Sequence, residues 1–179
     1  MKIKRFNFKI VNSTNNTAIK IIKQSKLNYG MIVSENQKNG KGQYSRKWIS
    51  YKGNLFVSFF YNIDNINFSI KKFTRLNCLL VKKLISKFCK KKIFFKSPND
   101  LLINKKKVRG ILQEKIIRDN KKYLIVGIGI NIIKSPKISK YSTTNLLEIL
   151  NKKIDYREMV SQLKLIFEKN FENYFKMKV

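Results

Sequence analysis

Hydrophobic positions recur along this chain with two periods, one near 2 and one near 3.6. Residues 3–11 alternate well enough for a strand, and the polar turn Asn12-Ser13-Thr14-Asn15 follows. Ser13 or Thr14 is placed to cap a helix running to about Lys23, with Ala18, Ile19, Ile21 and Ile22 on its apolar side. Tyr29 to Ser34 reads as a short strand. The stretch 35–47 is polar, holds two glycines and has no period, which predicts a loop of about a dozen residues. Leu55 to Tyr61 is apolar on both faces, the pattern of a central strand. Residues 68–89 carry Phe68, Phe73, Leu76, Leu80, Leu84, Ile85 and Phe88 at helical spacing. Then come a short strand at Ile93-Phe94-Phe95, the corner Lys96-Ser97-Pro98-Asn99-Asp100, and the segment Leu101 to Ile103. A Lys-rich turn at Asn104-Lys105-Lys106 precedes a strand from Lys107 to about Ile117. Asp119-Asn120 turns the chain into an apolar strand from Tyr123 to Ile133. A last helix runs from Asp155 to about Met177, with Met159, Leu163, Ile166, Phe167 and Phe171 along one face. Helices interleaved with hairpin-linked strands predict an α+β fold, one mixed and mainly antiparallel sheet covered by helices. Residues 1–179 read as a single domain.

Composition supports a folded chain and narrows its chemistry. With 179 residues, 43% hydrophobic and 12% aromatic, there is enough apolar surface for one sizeable core. No run approaches a membrane span, and Met1-Lys2-Ile3-Lys4-Arg5 lacks the apolar stretch of a signal peptide, so the cytoplasm is the expected compartment. The formal charge of +30 has two readings. Dense positive charge attracts phosphate backbones, but an AT-rich genome also enriches Lys, Asn and Ile. Only six of the forty basic residues are Arg, and the lysines are scattered, which favours genome bias. Cys78 and Cys89 fall in one helical stretch, roughly 16 Å apart along its axis, so they are expected as buried thiols and not a disulfide. There is no histidine, hence no imidazole base and no His-ligated metal. Chemistry here must use Lys, Arg, carboxylates, amides and a bound metal–nucleotide.

Four short stretches hold candidate chemistry. Gly40-Lys41-Gly42 can turn backbone N–H groups towards an anion, with Lys41, Arg46 and Lys47 adding charge; a solvated flexible loop is the alternative. Pro98-Asn99-Asp100 is either a plain turn or a rigid corner presenting an amide and a carboxylate to a Mg²⁺-nucleotide. Among Lys105, Lys106 and Lys107, each taken alone reads as a surface residue. Gly127 and Gly129 share one strand face, which suits either a bulge or a flat bed for a ligand, and Asn131 ends that run.

In their order and spacing these pieces resemble the catalytic domain of biotin–protein ligases, over roughly residues 8 to 175. The resemblance lies in Ser13-Thr14-Asn15-Asn16-Thr17-Ala18, the loop Gln37 to Trp48, Gly53-Asn54-Leu55 with Ser58, and Lys96-Ser97-Pro98-Asn99-Asp100. It continues through Lys107-Val108-Arg109-Gly110-Ile111-Leu112-Gln113-Glu114 and Gly127 to Asn131. It implies that biotin's carboxylate attacks the α-phosphate of Mg-ATP to give biotinyl-5′-AMP. A lysine of a biotin carboxyl carrier protein then takes the biotinyl group. Ser13, Thr14, Asn15 and Gln37 would bind biotin, and Lys41, Gly42, Gln43 and Arg46 would close over the adenylate. Lys107 would be the catalytic cation, and Lys96, Asn99, Asp100 and Asn131 would hold nucleotide and Mg²⁺, the metal through Asp100. Neither an N-terminal DNA-binding domain nor the small C-terminal β-barrel is expected, and a homodimer is compatible with the resemblance.

Four positions depart from the pattern. Lys41 stands where arginine is usual, Gln43 where a basic residue is, Ser45 where glycine is, and Ser97 where tryptophan is. Gln43 removes a charge, so weaker retention of the adenylate is expected. Competing readings are a lipoate or octanoate enzyme on the related fold and a non-catalytic basic nucleic-acid-binding protein. The charge has a third use, steering an acidic carrier domain.

Overall fold

The computed structural model describes residues 2–64, 66 and 69–176. Strands β1 (Arg5–Val11), β2 (Tyr29–Gln37) and β3 (Leu55–Asn62) come first, with helix α1 (Thr14–Gln24) joining β1 to β2. Helix α2 (Ile70–Phe88) leads into β4 (Ile93–Lys96), β5 (Asp100–Ile103), β6 (Lys106–Arg118) and β7 (Lys121–Ile130). Helices α3 (Leu146–Leu150) and α4 (Tyr156–Lys176) complete the order. The strands form one seven-stranded sheet in the order β1-β2-β3-β7-β6-β5-β4. Only β1 and β2 are parallel, which is why a helix must cross between them; every other neighbouring pair is antiparallel. The expected mixed, mainly antiparallel sheet is the one observed.

The sheet has two covered faces. Ala18 and Ile22 of α1 pack with Ile32, Phe60, Tyr123 and Ile125 on one face. On the other, Phe73, Val81, Leu84 and Ile85 of α2 and Met159, Leu163 and Phe167 of α4 pack on Val57, Phe59, Tyr61, Val126 and Ile128. Phe59 stacks on Phe167 with ring centroids 4.0 Å apart. β3 is buried from Leu55 to Tyr61, as its two apolar faces predict.

Several boundaries differ from the sequence pattern. Glu35, Asn36 and Gln37 extend β2 and are not loop, because β1 pairs alongside them as far as Val11↔Gln37. Lys106 already belongs to β6, so the turn is Asn104-Lys105, both left-handed, as is Asp119-Asn120. β7 ends at Ile130: Asn131 still donates its N–H to Val108 O on β6, but its carbonyl accepts from Leu146 N–H and no longer pairs with β3. Cys89 closes α2 from outside, and both thiols are free and buried. Phe68 and Met177, expected at helix ends, lie outside the described residues. α3 has no clear periodic signal; Asn145 caps it by accepting from Glu148 N at 2.9 Å.

Asn54 ties the end of β3 to the chain after β7. Its buried Oδ1 accepts from Ile132 and Ile133 N–H at 3.0 Å and from Lys134 N–H at 3.3 Å, while its Nδ2 donates to Lys134 O at 2.7 Å. Asn54→Ala strands these groups and is expected to cost about 2–3 kcal/mol in urea unfolding. A loss below about 0.5 kcal/mol, the level of an ordinary surface change, would show that water replaces the amide.

A two-compartment cleft and its relatives

The α1 face of the sheet is not covered along its whole length. Beyond the first turn of α1 lies a cleft open to solvent, lined by residues of α1, β2, β5, β6, β7 and the loop after β2. Ser13 occupies the N-cap position of α1, yet its side chain makes no capping bond. The orphan N–H of Thr14 is taken instead by Gln37 Oε1 at 2.8 Å, and Gln37 Nε2 reaches Ser50 Oγ at 3.1 Å. Asn15 Oδ1 accepts from Ser58 Oγ at 2.6 Å, and Asn15 Nδ2 donates to Glu114 at 2.6 Å. Thus buried Ser13, Thr14 and Asn15 come together with half-buried Gln37 as an uncharged hydrogen-bonding end.

The other end is cationic. Lys41, Arg46, Lys47 and Lys107 line it, and among the described residues Asp100 is the one acidic residue that does. The stretch expected to be an open loop is a tight hairpin from residue 38 onwards. Gly42 N–H bonds Arg46 O at 2.7 Å, Trp48 N–H bonds Gly40 O at 2.8 Å, and Lys41 bridges to Lys47. Its tip passes through Tyr44 and Ser45 with φ of 55° and 59°, a region that glycine enters more readily. Gln43 also lines the cleft.

Glycines explain how Trp48 and Asn15 reach the sheet. A Cβ on Gly129 would lie 2.5 Å from the Trp48 ring, and one on Gly127 would lie 2.3 Å from Asn15 Oδ1. The β6–β7 register runs unbroken through both glycines, so no bulge accounts for them. The bulge is one strand over. Leu101 pairs with Arg109 and Leu102 with Lys107, leaving Val108 as an extra residue on β6. In a regular strand Lys107 and Arg109 would share a face. Here Lys107 stands beside Gly110 on the cleft face, within 3.7 Å of where a Gly110 Cβ would be.

Lys107 is closely enclosed. Its Nζ is 2.8 Å from Asp100 Oδ1, 5.1 Å from the centre of the Tyr141 ring and 5.8 Å from that of Trp48. Backbone bonds from Lys107 N to Ser142 O and from Thr144 N to Lys107 O, each 2.9 Å, hold Tyr141 beside it. A second, smaller cavity adjoins the first and shares Lys47, Trp48, Lys107 and Tyr141 with it. Ile49, Asn131, Pro136, Ile138 and Thr143 complete its wall; Asn131 Nδ2 donates to Thr144 O at 3.2 Å, whereas its buried Oδ1 has no partner.

Of the residues singled out by sequence, Asn99 and Asp100 reach the main cleft and Asn131 reaches the second cavity. Lys96 reaches neither. It is exposed at the end of the edge strand β4, paired with Asp100 through the ladder, and Ser97 beside it is exposed as well. Sequence reasoning passed over Tyr141, the resting place of Trp48, and Arg109. The paired glycines were the available sign of an aromatic lying on the sheet. Arg109 is fully buried, and burial lowers its pKa from the ordinary guanidinium value against the opposing influence of Cys78 and Asp100. The cleft can therefore hold an elongated ligand that is neutral at one end and anionic at the other.

Residues 7–131 match the model of the biotin/lipoate A/B protein ligase family. The bifunctional ligase/repressor BirA of Bacillus subtilis is 30% identical over 171 residues, which cover 92% of this chain and 53% of the relative. Biotin protein ligase from Aquifex aeolicus, solved in complex with biotin and ATP, superposes with a TM-score of 0.82 at 29% identity, covering 97% of this chain and 72% of that one. LipL1 of P. falciparum, solved in complex with lipoate, superposes at 0.62 with 16% identity, covering 95% and 62%, a likeness of fold alone. The chain spans about half the length of the curated relatives it matches.

Proposed function

This chain belongs to the biotin/lipoate A/B protein ligase family, and on that premise we propose that it activates biotin with ATP and passes it to a protein lysine. The observation that carries this reading is the union of an uncharged hydrogen-bonding end with a cationic end in one cleft, with Lys107 bordering both cavities. The structure of the Aquifex relative with biotin and ATP supports the same pair of ligands.

In this reading Ser13, Thr14, Asn15 and Gln37 bind the biotin head, and Lys41, Gly42, Gln43 and Arg46 lie over the phosphates. Trp48 and Tyr141 wall off the second cavity, where Asn131 Oδ1 awaits a donor from the nucleotide. Biotin's carboxylate oxygen forms a bond to the α-phosphorus, the bond from that phosphorus to the bridging oxygen breaks, and pyrophosphate leaves. Lys107 holds the reacting oxygens and offsets the charge that gathers on them. The acceptor amine then attacks the biotinyl carbonyl, AMP departs with the bonding pair, and the amine loses a proton. Excluding water beneath the hairpin protects the anhydride in between. Lys96, which lines neither cavity, is given no role in this reading.

A divalent cation fits this donor set only in a limited way. Among the described residues no three His, Cys, Asp or Glu side chains cluster, and Asp100 is already paired with Lys107. Mg²⁺ would take most of its oxygens from the nucleotide, with Asp100 and Asn99 as the nearby protein groups, and would supply charge neutralisation at the phosphates. Among the described residues no helix is long and apolar enough to cross a membrane. A cytoplasmic biotin carboxyl carrier protein is the proposed acceptor.

The test is to incubate the protein with Mg-ATP and either biotin or lipoate and follow pyrophosphate exchange and acyl-AMP. Exchange with biotin should exceed that with lipoate by at least about tenfold, as expected where a site hydrogen-bonds a polar head group. A preference for lipoate would assign the chain to the other branch of the family. No exchange with either would end the ligase reading.

A further inference from the structure

Among the described residues Arg109 is the largest side chain that is wholly buried, and it is charged. Burying a guanidinium is costly unless its donors are used, and an apolar residue of similar volume is often the more stable choice. The bonds it makes are specific. Nη1 donates to Asn99 O at 2.9 Å and Nη2 to Cys78 O, on α2, at 3.4 Å. Asn99 is further tied through its Nδ2 to Ile111 O. The carbonyl that Arg109 grips therefore belongs to the residue just before Asp100, whose carboxylate is 2.8 Å from Lys107 Nζ.

The Val108 bulge makes this connection run through the sheet. Lys107 projects into the cleft, while Arg109 projects from the opposite face, towards α2. We propose that Arg109 is a positioning residue: by anchoring the Asn99 carbonyl to α2 it sets where Asp100, and hence the Lys107 ammonium, stands in the cleft. This rests on the adenylation reading above, in which Lys107 meets the reacting oxygens. It gives the buried charge a purpose that packing alone does not.

The experiment compares Arg109→Met and Arg109→Lys with Leu84→Ala, a cavity in the same α2–sheet core at a residue that makes none of these bonds. Arg109→Met should remain folded and form biotinyl-AMP with kcat lowered about 10–100-fold, the penalty for a misplacement on the order of 1 Å. KM for biotin should stay within about twofold, because Ser13, Thr14, Asn15 and Gln37 are not moved, whereas KM for Mg-ATP should rise, because Asn99 and Asp100 also stand nearest the metal–nucleotide. Arg109→Lys should fall between, and Leu84→Ala should keep kcat within about threefold despite its loss of stability. A readout without turnover is the rate at which acetic anhydride labels Lys107, followed by peptide mass spectrometry; freed from its fixed partner, Lys107 should react faster in Arg109→Met. Wild-type kcat and labelling in Arg109→Met would overturn the inference. So would a loss no greater than that of Leu84→Ala, or unfolding of both Arg109 variants at the assay temperature. Wild-type protein that makes no biotinyl-AMP would instead refute the function, and the labelling result would still decide whether Arg109 places Lys107.

Discussion

Lys107→Ala is expected to lower the rate of biotinyl-AMP formation by about 10²–10³-fold, the effect of removing one preorganised charge from a developing oxyanion. The size follows from how the ammonium is held. Asp100 lies 2.8 Å from it and the rings of Trp48 and Tyr141 flank it, so little reorganisation is left to perform during the reaction. Alanine also leaves a partly buried Asp100 without its partner, which adds negative charge where a triphosphate must sit. Lys107→Arg should not restore the rate, because a planar fork does not fit the space of a compact ammonium between two rings. Quantifying biotinyl-AMP in single-turnover samples checks this, with urea unfolding as the control for folding. A Lys107→Ala rate within threefold of wild type would remove Lys107 from the chemistry.

Gly129→Ala should have the second largest effect, through a different route. The new methyl would fall 2.5 Å from Trp48 Cε2, and Gly129 sits in β7 between β3 and β6, where the backbone cannot retreat. The indole must therefore leave its bed. That removes the wall shared by the two cavities and undoes the hairpin that Trp48 N–H closes on Gly40 O. Overpacking of this kind costs about 1–3 kcal/mol in stability, whereas adenylate formation should fall about 100-fold because the site loses its shape. Trp48 is the chain's single tryptophan, so its fluorescence reports the displacement directly, and emission should move to longer wavelength. Unchanged emission together with unchanged rate would mean that the ring does not depend on this glycine.

The elements were largely legible because burial of one face leaves a period in the sequence. Leu55 to Tyr61 read as a central strand and is one; the helix face with Leu80, Leu84 and Ile85 packs on the sheet as its spacing implies. Errors fell where partners beyond the local chain decide the structure. Glu35 to Gln37 are polar, and β1 makes them strand; Asn131 looks like the end of a strand, and its backbone bonds go to Val108 and Leu146 instead. Short α3 rests on one cap at Asn145 and has too few residues to show a period.

The site divides in the same way. Sequence by itself determined which residue types are available: no histidine, a cation-rich loop, a Pro-Asn-Asp corner, and two glycines spaced to share a strand face. Their order carried the family resemblance. Only the tertiary structure decided that Trp48 lies on Gly110 and Gly129, that Lys96 stands outside both cavities, and that Lys107 and Arg109 face opposite sides of the sheet. The physical reason is that a side chain's direction in a strand is set by hydrogen bonds to the neighbouring strand. One residue without a partner on β5, Val108, reverses that direction without leaving any mark in the local pattern.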